Sequence, residues 1–404
     1  MKLRIAFALV SCALSVVLGL VISKGGWDGT KNAPVPEKVA QLEKERDALA
    51  AELKAAKERP ATAAVAGSEQ KLAPTPAPTP KAKAKPRIGL SLDTLKEERW
   101  QRDRDTFVAK AQSLGAEVIV LSANSDDVQQ IKDCNSLLAQ NIDVLVIAPH
   151  NGEAMSRAVE EAKSTGVTVC AYDRMIINSD LDYYFTFDNV KVGELQGRFL
   201  MEKLFPEGPK EGGPKKRIAR IYGAPTDNNA KLFKEGQNVA LNPFIANGQL
   251  EIDFEDWAED WKPENGKKIA QAAMTKAGTT PLDGILASND GTAGGAIQAL
   301  LEDKLAGQVL VTGQDADLEA CRRILRGEQT MTIYKPLKLL AEQAAESSVA
   351  LARKENIKTT GISNNGKRDV RIVQVDVVAV HKDNMRETVV KDGFHKEADL
   401  FGAK

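Results

Sequence analysis

Cysteine and histidine are scarce in this chain. Four cysteines, Cys12, Cys134, Cys170 and Cys321, and three histidines are spread over 404 residues. No C-x-x-C spacing occurs, which leaves little room for a His/Cys metal site. Cys134, Cys170 and Cys321 fall in apolar helix or strand patterns and read as buried free thiols; spacing alone defines no disulfide. A basic excess is missing too. Lys and Arg number 55 against 56 Asp and Glu, which argues against a nucleic-acid partner. No cofactor and no metal is expected. What is present is a 43% hydrophobic content, enough for sizeable cores, and a length that implies two or three units.

The amino-terminal segment reads as an export segment. Lys2 and Arg4 precede Ile5–Ser23, which is uncharged and mostly apolar. Nineteen helical residues would span about 28 Å, one hydrocarbon core. The basic flank stays cytoplasmic and places the remainder outside. Cleavage after Ser23, lipidation at Cys12 and an uncleaved anchor are the three fates, and the anchor fits the length best. Residues 25–59 follow as a charged helical stalk. There Val39, Leu42, Leu49, Leu53 and Ala56 recur at 3/4 spacing, a weak coiled-coil signal that a solvated single helix would share. Residues 60–86 are rich in Ala, Pro and Lys and read as an extended linker.

From Arg87 onward apolar strands alternate with helices. Strands are expected at Ile88–Leu92, Val118–Leu121, Val144–Ala148, Val167–Tyr172 and Tyr183–Phe187. A second round has strands at Ile218–Tyr222, Leu250–Phe254, Gly284–Ala287, Val309–Thr312 and Thr330–Tyr334. Strands separated by helices of this length imply parallel sheets with right-handed crossovers. The expected fold is α/β, with two doubly wound lobes joined by a three-strand hinge. The late helix Leu337–Ala352 and the β-branched stretch Arg371–Val380 would return the chain to the first lobe and then to the second. The expected lobes are 87–188 with 336–372, and 189–335 with 373–404. Glu207–Lys215, rich in Gly, Pro and Lys, reads as a surface loop.

Ligands of open α/β sheets bind beyond the carboxyl ends of the strands. In this chain those ends carry a recurring set of side chains. Asp93 precedes a helix that opens with Arg99 and Trp100. Asp173 and Arg174 follow Tyr172; Asp227 and Asn229 follow Tyr222. Trp257 and Trp261 follow Phe254, Asn289 follows Ala287, Asp315 follows Thr312, and Lys335 follows Tyr334. Any one Asp or Asn there could be a helix cap. Caps do not explain tryptophans, arginines and a lysine on the same edge. A pyranose has apolar C–H faces and a rim of hydroxyls. Aromatic rings suit the first, and planar or charged hydrogen-bonding groups suit the second.

The chain from Arg87 to about Leu400 resembles the type I periplasmic sugar-binding proteins, the receptor subunits of ABC transporters. The runs that carry the resemblance include Glu98-Arg99-Trp100-Gln101, Tyr172-Asp173-Arg174-Met175-Ile176, Asp227-Asn228-Asn229-Ala230-Lys231-Leu232-Phe233, Ala287-Ser288-Asn289-Asp290, Gly313-Gln314-Asp315-Ala316-Asp317, Tyr334-Lys335-Pro336 and Lys391-Asp392-Gly393-Phe394-His395. The resemblance implies a monosaccharide ligand, xylose or a close relative. It implies ligand contacts from Arg99, Trp100, Asp173 and Arg174 in the first lobe. Asp227, Asn229, Trp261, Asn289 and Asp315 would come from the second, with Lys335 at a crossing. The implied partner is an ABC permease; a membrane histidine kinase is the alternative partner, suggested by the stalk. Three features depart from the family pattern: the anchor and stalk, the longer loop at Glu207–Lys215, and Thr94 where a second acid is expected. A repressor of this fold would begin with a helix-turn-helix, which this chain does not. An acid catalyst would need a carboxyl of raised pKa, whereas arginines and a lysine here are expected to keep the acids ionised.

Overall fold

The computed structural model describes residues 85–402. The expected export segment, the stalk and all but the end of the linker lie outside the described residues. Among the described residues, no helix is long and apolar enough to cross a membrane.

The first lobe is built from β1 (Arg87–Leu92), α1 (Glu98–Ser113), β2 (Glu117–Ser122), α2 (Asp127–Leu138), β3 (Val144–Ala148), α3 (Ser156–Ser164), β4 (Thr168–Tyr172) and β5 (Tyr183–Phe187). It is completed by α9 (Leu337–Ala352), β11 (Gly361–Asn364) and β12 (Asp369–Val375). The sheet order is β11-β12-β5-β4-β3-β1-β2. Every neighbouring pair is parallel except β11 with β12. β3 is apolar at every position because both its faces are covered. Val144, Val146 and Ala148 join Phe107 of α1 and Leu340 of α9 on one face. Leu145 and Ile147 join Leu137 of α2 and Val159 of α3 on the other.

The second lobe repeats the plan. It holds α4 (Asn189–Leu204), β6 (Lys216–Tyr222), α5 (Asn228–Ala246), β7 (Leu250–Trp257), α6 (Pro263–Ala277), β8 (Gly284–Ala287), α7 (Asp290–Glu302), β9 (Leu310–Val311) and α8 (Leu318–Arg326). Its parallel sheet runs β7-β6-β8-β9. α6 and α7 cover one face and α4 and α5 the other. The helices of the second pair touch backbone to backbone: a Cβ on Gly193 would lie 1.9 Å from the Phe233 carbonyl oxygen, and one on Gly236 1.9 Å from that of Val190. The expected surface loop at Glu207–Lys215 is largely exposed. Cys134, Cys170 and Cys321 are buried and free, as their patterns imply.

Three segments pass between the lobes. The first is Asp188, between β5 and α4. The second is Lys335-Pro336, between β10 (Thr332–Tyr334) and α9. The third is Asp376-Val377, between β12 and β13 (Val378–Val380), which pairs antiparallel with β10. The boundary expected at 372/373 therefore falls inside β12. That strand stays paired with β5 as far as Val375 opposite Phe187. The tail after β13 contains a wide helical turn at Arg386–Val390 and α10 (Glu397–Phe401). Met385, Val389 and Leu400 cover Cys321 and Ile324 of α8. The sequence reading places this tail in the second lobe, with residues 373–404, and expects no named element in it after Val380.

Candidate functional site

A cavity lies where the carboxyl ends of both sheets face each other, and every sequence-predicted site residue lines it. Arg99 and Trp100 sit in the first turn of α1, which aims them past the end of β1. The buried Arg99 guanidinium donates through Nη2 to Asp173 Oδ2 at 2.7 Å and to Asp103 Oδ2 at 3.2 Å, and through Nη1 to Asp315 Oδ1 at 3.2 Å. Asp173, just past β4, has left-handed backbone (φ 61°). Its neighbour Arg174 donates to Asp93 Oδ2 at 2.7 Å and to the Pro149 carbonyl at 3.1 Å. Trp100 is buried in the first-lobe core. Both guanidinium carbons lie over its ring, at 4.2 Å for Arg99 and 5.1 Å for Arg174.

The second-lobe wall begins with Asp227, the N-cap of α5. Oδ1 accepts the cap hydrogen bond from Asn229 N at 2.9 Å. Oδ2 accepts from Trp261 Nε1 at 3.2 Å and pairs with Arg174 Nε at 2.8 Å. One carboxylate thus both caps α5 and lines the cavity. Asn229 donates to the Asp173 carbonyl at 2.9 Å and accepts from Asn189 Nδ2 at 3.0 Å and Tyr184 Oη at 3.2 Å. Asn289 caps α7 through Thr292 N at 2.9 Å. Asp315 is not a cap; the N-cap position of α8 is Asp317. Asp315 instead pairs with Lys335 Nζ at 2.8 Å as well as with Arg99. Lys335 is almost wholly buried, 3.9 Å from Asp173 Oδ2.

The two walls are thus bridged directly by Arg174–Asp227 and Arg99–Asp315. Both pairs lie in the wall of the cavity. Four buried atoms of its wall have no hydrogen-bond partner among the described residues: Asp93 Oδ1, Glu97 Oε2, Arg99 Nε and Gln314 Oε1. Buried polar atoms call for partners, and a ligand bearing several hydroxyls can donate to the acids and accept from the guanidinium.

The acids of the site do not share one electrostatic state. Burial would raise Asp173, but Arg99, Lys335 and Arg174 outweigh it and bring its carboxyl down to about 2. At Asp227 burial wins over Arg174, and the carboxyl stands above its ordinary value. The cations thus outweigh burial at Asp173, whereas at Asp227 burial outweighs the paired Arg174. Asp103, which also accepts from Tyr172 Oη at 2.7 Å, is pushed up to about 6 by burial against the pull of Arg99.

The sequence reading omits Asp93, His150, Asp260 and Gln314 from the site. Asp93, His150 and Gln314 follow strand ends as the chosen residues do, so the signal was present. Asp103 lies one helical turn after Arg99, on the same face. Tyr184 and Asn189 reach Asn229 only through the packing of β5 and α4, and no local pattern marks them. Among the described residues no cluster of three or more His, Cys, Asp or Glu is arranged to hold a metal.

A model of the periplasmic binding protein domain matches residues 88–356. The D-xylose-binding periplasmic protein of Haemophilus influenzae is 48% identical over 315 residues, which are 78% of this chain and 92% of that protein. The Escherichia coli protein of the same name is 46% identical over 314 residues, again 78% and 92%. A solved ABC transporter solute binding protein from Clostridium phytofermentans, with β-D-glucose bound, superposes with a TM-score of 0.71 at 30% identity, covering 78% of this chain and 99% of that one. With its two doubly wound lobes, three crossings and a cavity between facing strand ends, this chain belongs to the periplasmic binding protein family and has the type I fold.

Proposed function

We propose that the protein is an exported receptor that closes around one monosaccharide, D-xylose, and delivers it to an ABC permease. The observation that carries this reading is the wall itself. Acids, cations and two tryptophans from both lobes meet on one small cavity, with polar atoms left unpaired inside it. Arg99, Trp100, Asp173, Arg174, Asp227, Asn229, Trp261, Asn289, Asp315 and Lys335 are the proposed ligand contacts. Mixed donors and acceptors fix the hydroxyl pattern, because a misplaced hydroxyl leaves a buried charge unpaired. Two relatives named for D-xylose, similar over nine-tenths of their length, support the choice of pentose. The solved ABC transporter relative supports delivery to a permease over signalling to a kinase. The protein is a binding protein and not an enzyme.

Closure works by differential affinity. Contacts from both lobes exist together only when the lobes are shut, so sugar stabilises the shut form. The shut form presents both lobes to the permease as one surface. Residues 5–23 are proposed to tether the receptor to the inner membrane, with the stalk and linker as its leash. Calorimetric titration of residues 85–404 with D-xylose, L-arabinose, D-ribose and D-glucose tests the reading. Saturable one-to-one binding, tightest for D-xylose, is expected. No heat with any pentose or hexose would end the sugar assignment; tighter binding of another sugar would replace the pentose.

A further inference from the structure

The turn that carries Trp261 is gripped from the opposite lobe. His150 follows β3 in the first lobe. Its Nδ1 lies 2.7 Å from Asp127 Oδ1 in the first turn of α2. Its Nε2 lies 3.3 Å from Asp260 Oδ1 in the second lobe. Asn151 Nδ2 donates to the other Asp127 oxygen at 3.0 Å, so the acid that holds the ring is itself held. Asp260 and Trp261 both have left-handed backbone, with φ of 52° and 57°. Side-chain-bearing residues adopt that conformation at a cost, and it persists where surrounding contacts enforce it. From its own side of the cleft Asp260 has, among the described residues, one ionic partner, Lys262, whose Nζ is 2.6 Å from Oδ2.

We infer that His150 is a positioning residue: held by Asp127, it engages Asp260 as the lobes shut and thereby sets the Trp261 indole against the bound monosaccharide. The inference rests on the proposed sugar site and deepens it. The bridge spans the lobes, so it forms on closing and breaks on opening. It also makes closing sensitive to pH. The charged groups that face the imidazole are Asp93 and Asp127 from its own lobe and Asp260 from the other, with Lys262 opposing through Asp260. Burial pulls the imidazole down, yet Asp93, Asp127 and Asp260 outweigh it and hold it above its ordinary value. Asp93 and Asp127 accompany His150 in any arrangement of the lobes, whereas Asp260 arrives on closing. Protonation and closing therefore favour each other. The bridge is strongest below the ordinary histidine range and weakens as pH rises through the raised value.

Two variants test this in the full exported portion: Asp260→Asn keeps the shape of the partner and removes its charge, and His150→Phe keeps a ring and removes both nitrogens. D-Xylose affinity is measured at pH 6 and pH 8.5 by calorimetry. The wild type should bind roughly two- to five-fold more tightly at pH 6, as a partly exposed pair allows. Both variants should lose that ratio while unfolding cooperatively near the wild-type temperature. A ratio unchanged in Asp260→Asn and His150→Phe overturns the inference. Should the wild type bind no monosaccharide, the receptor reading falls by itself. The bridge is then judged on the His150 titration followed by NMR, in a chain with only three histidines. A lower midpoint in Asp260→Asn supports it, and an unmoved midpoint overturns it.

Discussion

Trp261 reaches the cavity because Gly223, across from it, has no side chain. A Cβ on Gly223 would lie 1.9 Å from the indole Cη2. Gly223→Ala should push the ring aside and weaken sugar binding by about as much as Trp261→Ala, on the order of 2 kcal/mol for a central aromatic contact. Both variants should keep cooperative unfolding, since Trp261 is only partly buried; calorimetry with circular dichroism checks this. A Gly223→Ala protein of wild-type affinity would place the indole outside the sugar contacts. Asp103 gives a prediction about pH. Its carboxyl, raised to about 6 from 3.8, contributes stability that is complete below pH 3.8 and lost as pH rises through about 6. Asp173 is the opposite case: its contribution is complete above 3.8 and lost only as pH falls through about 2. Asp103→Asn should therefore flatten the fall in stability between pH 4 and 7 by about 2–3 kcal/mol. Urea midpoints at the two pH values measure the effect, and equal falls in both proteins would contradict it. The site residues that the sequence exposes are those next to strand ends. Tyr184 and Asn189 were hidden because their roles depend on how β5 and α4 pack against α5, whereas Asp103 stands at the local i,i+4 position after Arg99.

At the scale of elements, the strand-helix alternation was readable because β3 and β8 are covered on both faces and apolar throughout, and β4 and β6 keep short apolar stretches, Val169–Ala171 and Ile218-Ala219, at their centres. The exceptions have separate causes. β11 is a mostly exposed edge strand (GISN) with no apolar alternation to detect. β12 and β13 read as a single run because their β-branched residues continue across the crossing at Asp376-Val377. β9 shrinks to two residues where four were expected, since Val309 N bonds back to Leu305 of the preceding turn. Helix contacts were less visible than helices. The α4–α5 contact needs glycine on both sides, and a glycine in a helical pattern signals weakness before it signals contact. Gly193→Ala should force the helices apart and destabilise the second lobe by about 1–3 kcal/mol, read as a lowered unfolding midpoint. An unchanged midpoint would mean the pair can separate freely.

For the whole molecule, the plan of two lobes and three crossings followed from the order of elements, while the closeness of the two walls did not. Arg174–Asp227 and Arg99–Asp315 join residues far apart in sequence, and no spacing rule announces such pairs. Their net contribution to closing is small, since desolvation offsets most of the attraction between buried ions. That balance leaves the bound ligand to decide the equilibrium. Lys335 stands apart from the other contacts. It lies on the second crossing, with Asp315 on one side, Asp173 on the other and the ring of Phe187, last residue of β5, 5.4 Å from its ammonium. On the proposed binding mode, the axle of the clamp is thus also part of its grip. Re-engineering this protein as a sensor for a different sugar should therefore leave Lys335 untouched, because a substitution there would disturb the hinge together with the pocket.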